Sequence, residues 1–210
     1  MYVCWSLKGG NGTTVVVAAL SVVRSRRGPT VVLDLHGDVA AALGTNDPWG
    51  PGLGDWLSSH TDDGDALLGL AVEVLPSLHL LPAGTFGAAA PERWQAAADV
   101  LAGCGRTVVI DAGVGAPHDA FLHAGATSLL VTRACYLTLR RAPTLRHPPS
   151  GIVLLTEHKR AIDRRQITST IGAPIVAELP WDPAVYRAVD SGLLSGSVPP
   201  SIAGALSRLP

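Results

Sequence analysis

Short apolar segments alternate along the chain with longer segments in which apolar residues recur every three or four positions. Short apolar runs bounded by glycine, proline or polar residues are typical of buried strands, and the longer spacing is typical of helices. We expect strands at residues 2–7, 30–35, 107–111, 128–131, 151–155 and 175–178, and helices at residues 14–26, 39–43, 91–103, 136–142, 161–171 and 183–191. This alternation predicts a three-layer α/β domain, with a mostly parallel sheet and helices on both faces.

The pattern is less regular between residues 46 and 81. Residues 46–54 are rich in glycine and proline and predict a loop, with a short helix beginning near residue 53. The acidic run Asp62-Asp63-Gly64-Asp65 offers a cap for a helix at residues 66–70. Residues 72–75 and 78–81 predict either a pair of strands or one interrupted strand. No repeat or linker divides the sequence, so we expect one domain spanning residues 1–210.

Composition narrows the class of protein. The formal net charge of −1 argues against a strongly cationic nucleic-acid surface. Three widely spaced cysteines without a CxxC pair argue against a disulfide framework or a zinc site, and they fit a reducing cytoplasm. The start of the chain does not resemble a signal peptide, and the longest apolar stretch, residues 15–23, is too short to cross a bilayer. We therefore expect a soluble cytoplasmic protein.

A glycine-rich loop between the first strand and the first helix predicts an anion-binding site. Its glycines allow a tight turn that aims backbone N–H groups inward, and the following helix adds the partial positive charge of its N-terminus. A glycine turn of this composition is also common without any ligand, but its place between strand and helix favours phosphate binding. The candidate binding residues are Lys8, Gly9, Gly10, Asn11, Gly12, Thr13 and Thr14.

This loop resembles the deviant Walker A motif of the MinD/ParA family of P-loop proteins, written K-G-G-x-G-K-[T/S]. The resemblance implies binding of ATP or ADP with Mg²⁺. Lys8 matches the signature lysine, which in this family reaches the phosphates of a partner across a homodimer, and Thr14 matches the hydroxyl residue that ligates Mg²⁺. Thr13 departs from the motif, because the family has there the lysine that contacts the β- and γ-phosphates.

Two acidic segments extend the resemblance. Residues 107–111 resemble the Walker B strand, which implies that Asp111 is near the metal, and residues 111–117 resemble switch II. Residues 34–38 resemble switch I, usually D-x-D, in which the first acid, here Asp34, lies near Mg²⁺ and the second positions the attacking water. The second position is His36, so His36 and Asp38 are candidate catalytic groups. Histidine titrates near neutral pH and can act as a base, although an ordinary loop residue is the commoner role.

The segment around Pro180 and Asp182 resembles the family's region beside the adenine pocket. The family often recognises the base with an asparagine after the preceding strand, whereas this chain has Leu155 followed by Thr156 and Glu157. The resemblance therefore implies a nucleotide-binding role for Pro180 and Asp182 but leaves the base open.

Two further features bear on partners. A cationic cluster is compatible with DNA binding, although solvated helix faces are commoner; its members are Lys159, Arg160, Arg164, Arg165, Arg140, Arg141 and Arg146. The tail at residues 201–209 has apolar residues at helical spacing, as in a membrane-targeting helix. It carries a single arginine, so packing onto the domain is favoured and membrane binding is not expected.

Two substitutions in the catalytic apparatus, Thr13 and His36, indicate weak or absent hydrolysis. We expect a degenerate MinD/ParA-like nucleotide-binding protein that forms a homodimer and serves as a positioning or scaffold protein. Its protein partner would be a septum, pilus-assembly (TadZ/CpaE-like) or partition component. One alternative is an active ATPase switch of the same family, with Lys8 supplying the cation. Another is an ATP-dependent amide- or ring-forming enzyme of the dethiobiotin synthetase type.

Overall fold

A computed structural model describes residues 1–59, 61, 63–158 and 160–210. The strands are β1 (Tyr2–Ser6), β2 (Thr30–Asp34), β3 (Val72–Leu75), β4 (Leu78–Leu81), β5 (Thr107–Val114), β6 (Thr127–Arg133), β7 (Gly151–Thr156) and β8 (Ile175–Pro180). The helices are α1 (Thr13–Ser25), α2 (Val39–Leu43), α3 (Leu53–Ser58), α4 (Gly64–Leu68), α5 (Pro91–Gly103), α6 (Asp119–His123), α7 (Tyr136–Arg141), α8 (Arg164–Ile171), α9 (Pro183–Asp190) and α10 (Pro200–Ser207). A 3₁₀ turn at Ala142–Thr144 follows α7.

The strands form one sheet in the order β3-β4-β2-β5-β1-β6-β7-β8. β3 pairs antiparallel with β4, and the other neighbouring strands pair in parallel. The α/β fold and the mostly parallel sheet predicted from the sequence are confirmed. β1 lies between β5 and β6. The connection after β1 runs to β2 on one side of it, and the connection after β5 crosses to β6 on the other side. Open parallel sheets bind ligands at such a switch point, beyond the carboxyl ends of the strands.

The two faces of the sheet are buried in separate cores. Alternation along β1 sends Tyr2 and Cys4 into the core formed with α1, α2 and α10, and sends Val3 and Trp5 into the core formed with α3 to α8. Trp5 is 2% exposed, and its indole Nε1 donates to the Ser128 hydroxyl at 2.9 Å, so this large side chain is buried with its polar group satisfied. Helices thus cover both faces, and the edge at the carboxyl ends of the strands stays open for a ligand.

Local capping explains where the helix ends differ from the predicted ones. α8 begins at Arg164 instead of residue 161, because Asp163 accepts a hydrogen bond from the Gln166 N–H and the Gln166 side chain accepts one from the Asp163 N–H. α4 begins at Gly64, where Asp63 caps the helix by accepting from the Asp65 N–H. Asp62, also expected as a cap, lies outside the described residues.

β5 continues three residues past Asp111, to Val114, because its end stays paired with β1 at Ser6. The segment resembling switch II therefore begins inside a strand. α6 was not predicted, since five residues are too few to show a helical period.

The tail forms α10, which packs onto the domain as expected. Ile202, Leu206 and Leu209 are buried, and Arg27 donates to the Ser207 carbonyl oxygen at 2.9 Å. Within the described part of the chain, no helix is both long and apolar enough to cross a membrane.

Candidate nucleotide-binding site

The loop joining β1 to α1 forms a cradle of free backbone donors. Gly10 (φ 76°) and Gly12 (φ 80°) adopt left-handed conformations that favour glycine, and they turn the chain sharply into the helix. The N–H groups of Gly12, Thr13 and Thr14 have no acceptor within the described residues. The first turn of α1 carries no acidic side chain, and a Cβ at Gly9 or Gly10 would meet no atom within 4 Å. Donors at the start of a thirteen-residue helix, with open space before them, suit an anion.

The start of the loop is fixed by two side chains. The Ser6 hydroxyl lies 2.9 Å from the Lys8 carbonyl oxygen and 3.2 Å from that of Gly113, so its proton links the loop to the end of β5. Arg141 in α7 donates to the Leu7 carbonyl oxygen at 2.7 Å. The cradle is therefore held on one side by the end of β5 and on the other by α7, which follows β6.

Asn11 is the buried polar residue of the loop. It is 1% exposed, and neither atom of its side-chain amide has a partner among the described residues. Leaving a buried donor or acceptor unpaired costs about 1–3 kcal/mol. The loop is therefore incompletely satisfied as it stands, as is common where a ligand or ordered water completes the bonding.

Lys8 lies back on its own loop. Its ammonium nitrogen donates to the Gly9 carbonyl oxygen at 2.8 Å. It is also near Cys135 at the start of α7. Partial burial would raise the pKa of the Cys135 thiol, but the Thr138 and Leu137 N–H groups and the Lys8 charge outweigh that effect and lower it. The one cation of the loop thus lies at the cradle and bonds to a carbonyl oxygen of the loop itself.

Thr13 is the first residue of α1 and is 7% exposed. A threonine hydroxyl carries no charge, so this position contributes no cation to the site. Gly12 beside it is packed against β7, because a Cβ there would lie 3.1 Å from the Leu155 side chain. The structure therefore places a turn of free N–H donors before α1, with an uncharged side chain at position 13.

Asp111 and Thr14 meet beneath the cradle. Asp111 is fully buried, and its Oδ1 accepts from the Gly113 N–H at 2.9 Å. Burial raises the pKa of the Asp111 carboxyl, and the Thr14 hydroxyl and the Gly113 N–H oppose that rise. Oδ2 has no partner at hydrogen-bond distance among the described residues. A buried carboxylate with one free oxygen beside a hydroxyl can supply two oxygen ligands to Mg²⁺.

Asp34 is adjacent to Asp111 in the sheet register, and both of its carboxylate oxygens accept hydrogen bonds from the backbone. Oδ1 accepts from the N–H groups of His36 (3.0 Å) and Gly37 (2.7 Å), and Oδ2 accepts from that of Val39 (2.8 Å). These bonds shape the turn before α2. Asp34 thus lies beside Asp111, and in this conformation its carboxylate anchors the turn before α2.

His36 lies against the end of β5. Its Nε2 is 3.0 Å from the Ala112 carbonyl oxygen, and a Cβ at Gly113 (φ 61°) would come within 2.1 Å of the ring. His36 therefore joins the two segments that resemble the switches. Asp38, the other candidate catalytic group, is exposed and precedes α2 without capping it by its side chain.

Removing the charge of Asp34 and removing that of Asp111 should change the free energy of unfolding in opposite directions. Asp34→Asn should lower the free energy of unfolding by about 1–3 kcal/mol, because an amide nitrogen would face an N–H donor. Asp111→Asn should raise it at pH 7.5, because the buried charge is removed while Oδ1 can still accept. Chemical denaturation of both variants measures the two changes.

The pH dependence of stability provides a control for these two variants. Because the folded-state pKa of Asp111 is raised, folded protein binds more protons than unfolded protein between about pH 4 and that pKa. Stability from this group is present below pH 4 and is lost as the pH rises through the raised pKa. Asp111→Asn should lack this loss, so its advantage over the unmodified protein should grow between pH 4 and pH 7.5; a constant advantage would contradict the assignment.

A cavity of about 300 Å³ opens beside the cradle, between the start of α1 and the segment from β8 to α9. Its lining includes Gly12 and Val15 from the loop side, and Pro180 and Asp182 from the other. The Asp182 carboxylate accepts from the Ser201 hydroxyl at 2.6 Å and from the Ala184 N–H at 2.8 Å, and both bonds lower its pKa. Pro180 and Asp182 thus border a cavity that reaches the loop, and Asp182 also caps α9.

Sequence reasoning missed the polar wall of this cavity. Arg133 at the end of β6 donates to Glu157 Oε1 at 3.0 Å, and both side chains line the cavity with Tyr186. The sequence indicated a role for these two residues only through their positions, because Arg133 ends β6 and Glu157 directly follows β7, at the carboxyl ends of parallel strands where ligands bind.

The cationic cluster is partly neutralised. Arg160 pairs with Glu157, and Arg164 pairs with Glu178. Arg141 is committed to the Leu7 carbonyl. Lys159 lies outside the described residues. A continuous unpaired cationic surface is therefore not formed by these three arginines.

No protein-family model matches the sequence, and comparison with curated proteins found no match. Solved structures do resemble the fold. A ParA family ATPase from Chlorobium tepidum superposes with a TM-score of 0.77 at 22% identity over 98% of this chain and 96% of that one. The septum site-determining protein MinD of Pyrococcus horikoshii, complexed with Mg-ADP, gives 0.75 at 19% identity over 99% and 93%. MinD in the MinC:MinD cell division complex of Aquifex aeolicus gives 0.75 at 18% identity over 99% and 94%. The chain therefore has the fold of the MinD and ParA ATPases.

Proposed function

We propose that this chain is a degenerate MinD/ParA-like nucleotide-binding protein, acting as a cytoplasmic positioning or scaffold protein with weak or absent hydrolysis. One observation supports this most strongly. The loop before α1 keeps free N–H groups at Gly12, Thr13 and Thr14, while position 13 supplies no cation. Binding depends largely on the first feature and phosphoryl transfer on the second.

The residues present fit a nucleotide with Mg²⁺. The loop N–H groups would hold the phosphates, and Lys8 would add a cation by leaving the Gly9 carbonyl. The Thr14 hydroxyl and the free oxygen of Asp111 would hold Mg²⁺, which neutralises phosphate charge when bound. Among the described residues no group of three or more His, Cys, Asp or Glu side chains could hold a metal by itself. Mg²⁺ commonly takes one or two protein ligands and shares the phosphates, which agrees with this pair.

The residues at positions 13 and 36 both favour slow hydrolysis. Thr13 leaves the developing charge on the phosphates without the cation that the family motif places there. The position expected for a water-orienting acid is His36, whose Nε2 lies 3.0 Å from the Ala112 carbonyl oxygen. A ring held against β5 in this way is poorly placed to orient water above the cradle.

Exposed apolar residues near the loop support a homodimer. Val114 is 52% exposed and lies opposite Ser6 in the sheet register, while Tyr136 and Leu137 are 70% and 51% exposed beside Cys135. Large apolar side chains exposed beside a candidate site are typical of interaction surfaces. A protein partner is proposed by analogy with the solved MinC:MinD complex.

An active ATPase switch is the second candidate. Lys8 already reaches a carbonyl of its own loop, at 2.8 Å, so it can enter the site without a second subunit. In that case Lys8 would replace the missing cation in cis.

Calorimetric titration with Mg-nucleotide tests the binding step, and sedimentation with and without nucleotide tests the dimer. We expect binding and nucleotide-dependent association in the unmodified protein. A protein that binds neither ATP nor GTP would contradict the proposal. Lys8→Ala should weaken nucleotide binding or association; unchanged behaviour would remove its proposed role.

Restoring both altered positions should restore turnover. Thr13→Lys combined with His36→Asp supplies the cation and the acid that the family motif contains, and each group is worth a factor of about 10²–10⁴ in such sites. Phosphate release by the double variant should therefore exceed that of either single variant. A purified, folded double variant with no gain would contradict the view that these two positions limit the reaction.

A further inference from the structure

The cavity beside the cradle has one polar wall among apolar ones. Leu155, Leu179 and Val185 contribute apolar surface, and the rings of Trp181 and Tyr186 lie 5.7 Å apart at its rim. If phosphates occupy the loop, as in the proposed function on which this inference rests, the attached base would enter this cavity past Gly12. A purine ring would then lie between apolar surfaces with its edge toward the polar wall.

The polar wall is an ion pair with bonding capacity left over. Arg133 Nη1 donates to Glu157 Oε1 at 3.0 Å, and Arg133 Nη2 approaches the Tyr186 hydroxyl at 3.3 Å. Arg133 Nε is buried and has no partner among the described residues. Glu157 Oε2 accepts from Arg160 Nε at 2.7 Å and also from Arg160 Nη2, and the Glu157 side chain is 17% exposed. The carboxylate is therefore fixed. Oε1 keeps a further lone pair for a ligand, and Oε2 gains one when the Arg160 side chain, which is 46% exposed, moves away.

Such a pair distinguishes the two purines. Guanine presents the acceptor O6 beside two donors, N1–H and the N2 amino group, so an arginine and a carboxylate can make three bonds to that edge. Adenine presents one donor and one acceptor there and can make two. On the other edge, guanine offers the acceptors O6 and N7 to an arginine, whereas adenine turns its N6 amino donor toward the guanidinium.

We propose that the Arg133–Glu157 pair recognises the base, and that it makes this cavity prefer guanine to adenine nucleotides. The roles are separate. Arg133 donates to O6, and Glu157 accepts from N1–H at Oε1 and, once the half-exposed Arg160 side chain has moved away, from the N2 amino group at Oε2. A good bidentate contact discriminates against the wrong base by about 5- to 150-fold.

Calorimetric titration of the full chain with the Mg complexes of GDP, ADP and inosine diphosphate tests this. GDP should bind at least about fivefold more tightly than ADP. Inosine diphosphate, which lacks the N2 amino group, should bind more weakly than GDP. Glu157→Gln keeps the size of the side chain but removes its charge and one acceptor, so it should bring all three ligands to within about threefold of one another.

Arg164→Gln is the matched control, because it breaks the surface pair with Glu178 and does not line the cavity. It should leave the GDP-to-ADP ratio unchanged, and thermal unfolding without ligand should show that both variants are folded. ADP binding as tightly as GDP, or an unchanged ratio in Glu157→Gln, would overturn the base assignment and leave nucleotide binding intact. Absence of binding by every nucleotide would overturn both proposals.

Discussion

Thr13→Lys is expected to bind Mg-nucleotide about 10- to 100-fold more tightly than the unmodified protein. A charge-assisted hydrogen bond contributes about 1.5–3 kcal/mol, and each 1.4 kcal/mol is a factor of ten in affinity. Thr13 begins α1, directly after the Gly12 turn, so a longer cationic side chain from this position joins the same cradle. Calorimetry at fixed ionic strength measures the change.

Thr13→Met is the control for that gain, since it lengthens the side chain without adding charge. Thr13 is 7% exposed, so both variants must pass the same test of folding by thermal unfolding without ligand. A gain in Thr13→Lys that is absent from Thr13→Met assigns the effect to the cation. Equal affinities in the two variants would show that charge at this position is not what the site lacks.

Gly44→Ala is expected to lower the free energy of unfolding by about 3 kcal/mol. Gly44 ends α2 with a φ of 75°, and a Cβ there would lie 2.0 Å from the Gly192 carbonyl oxygen. Left-handed backbone costs a residue with a Cβ about 1–2 kcal/mol, and forcing two backbones apart costs about 1–3 kcal/mol more. The contact matters to the site because α2 follows the Asp34 turn and Gly192 follows α9, which lines the cavity.

Gly125→Ala separates the two contributions. Gly125 has nearly the same conformation, with a φ of 80°, but a Cβ there would meet no atom within 4 Å. We expect it to cost only about 1 kcal/mol, from the backbone alone. Urea denaturation of both variants makes the comparison, and equal losses would contradict close packing between Gly44 and Gly192.

Local patterns determined most of what the sequence could predict. Strands such as β2 and β7 are nearly continuous apolar runs. The cradle is one contiguous segment, and its glycines predict the left-handed turn that the structure shows. The cavity wall could not be predicted in this way. Arg133 and Glu157 are 24 residues apart, and they meet only because β6 and β7 are neighbours in the sheet.

The turn after β2 shows the same limit at shorter range. The sequence places Asp34 where the family has an acid near the metal, but it does not show which atoms the carboxylate contacts. Three backbone N–H groups occupy it in the structure, because the turn through Gly37 folds back over the strand end. The motif therefore predicted the place of Asp34 at the end of β2, but the hydrogen bonds of its carboxylate depend on the backbone conformation of the following turn.

Phosphate release in a single turnover, with protein in excess over labelled ATP or GTP, tests the central claim most directly. The claim is that the backbone cradle at the head of α1 still holds nucleotide phosphates although the groups that drive their cleavage are absent. The expected result is nucleotide that stays bound and uncleaved, with a rate below roughly 10⁻³ s⁻¹, the scale of unassisted GTPases. Release at about 1 s⁻¹ or faster, as in ordinary enzymes, would contradict it.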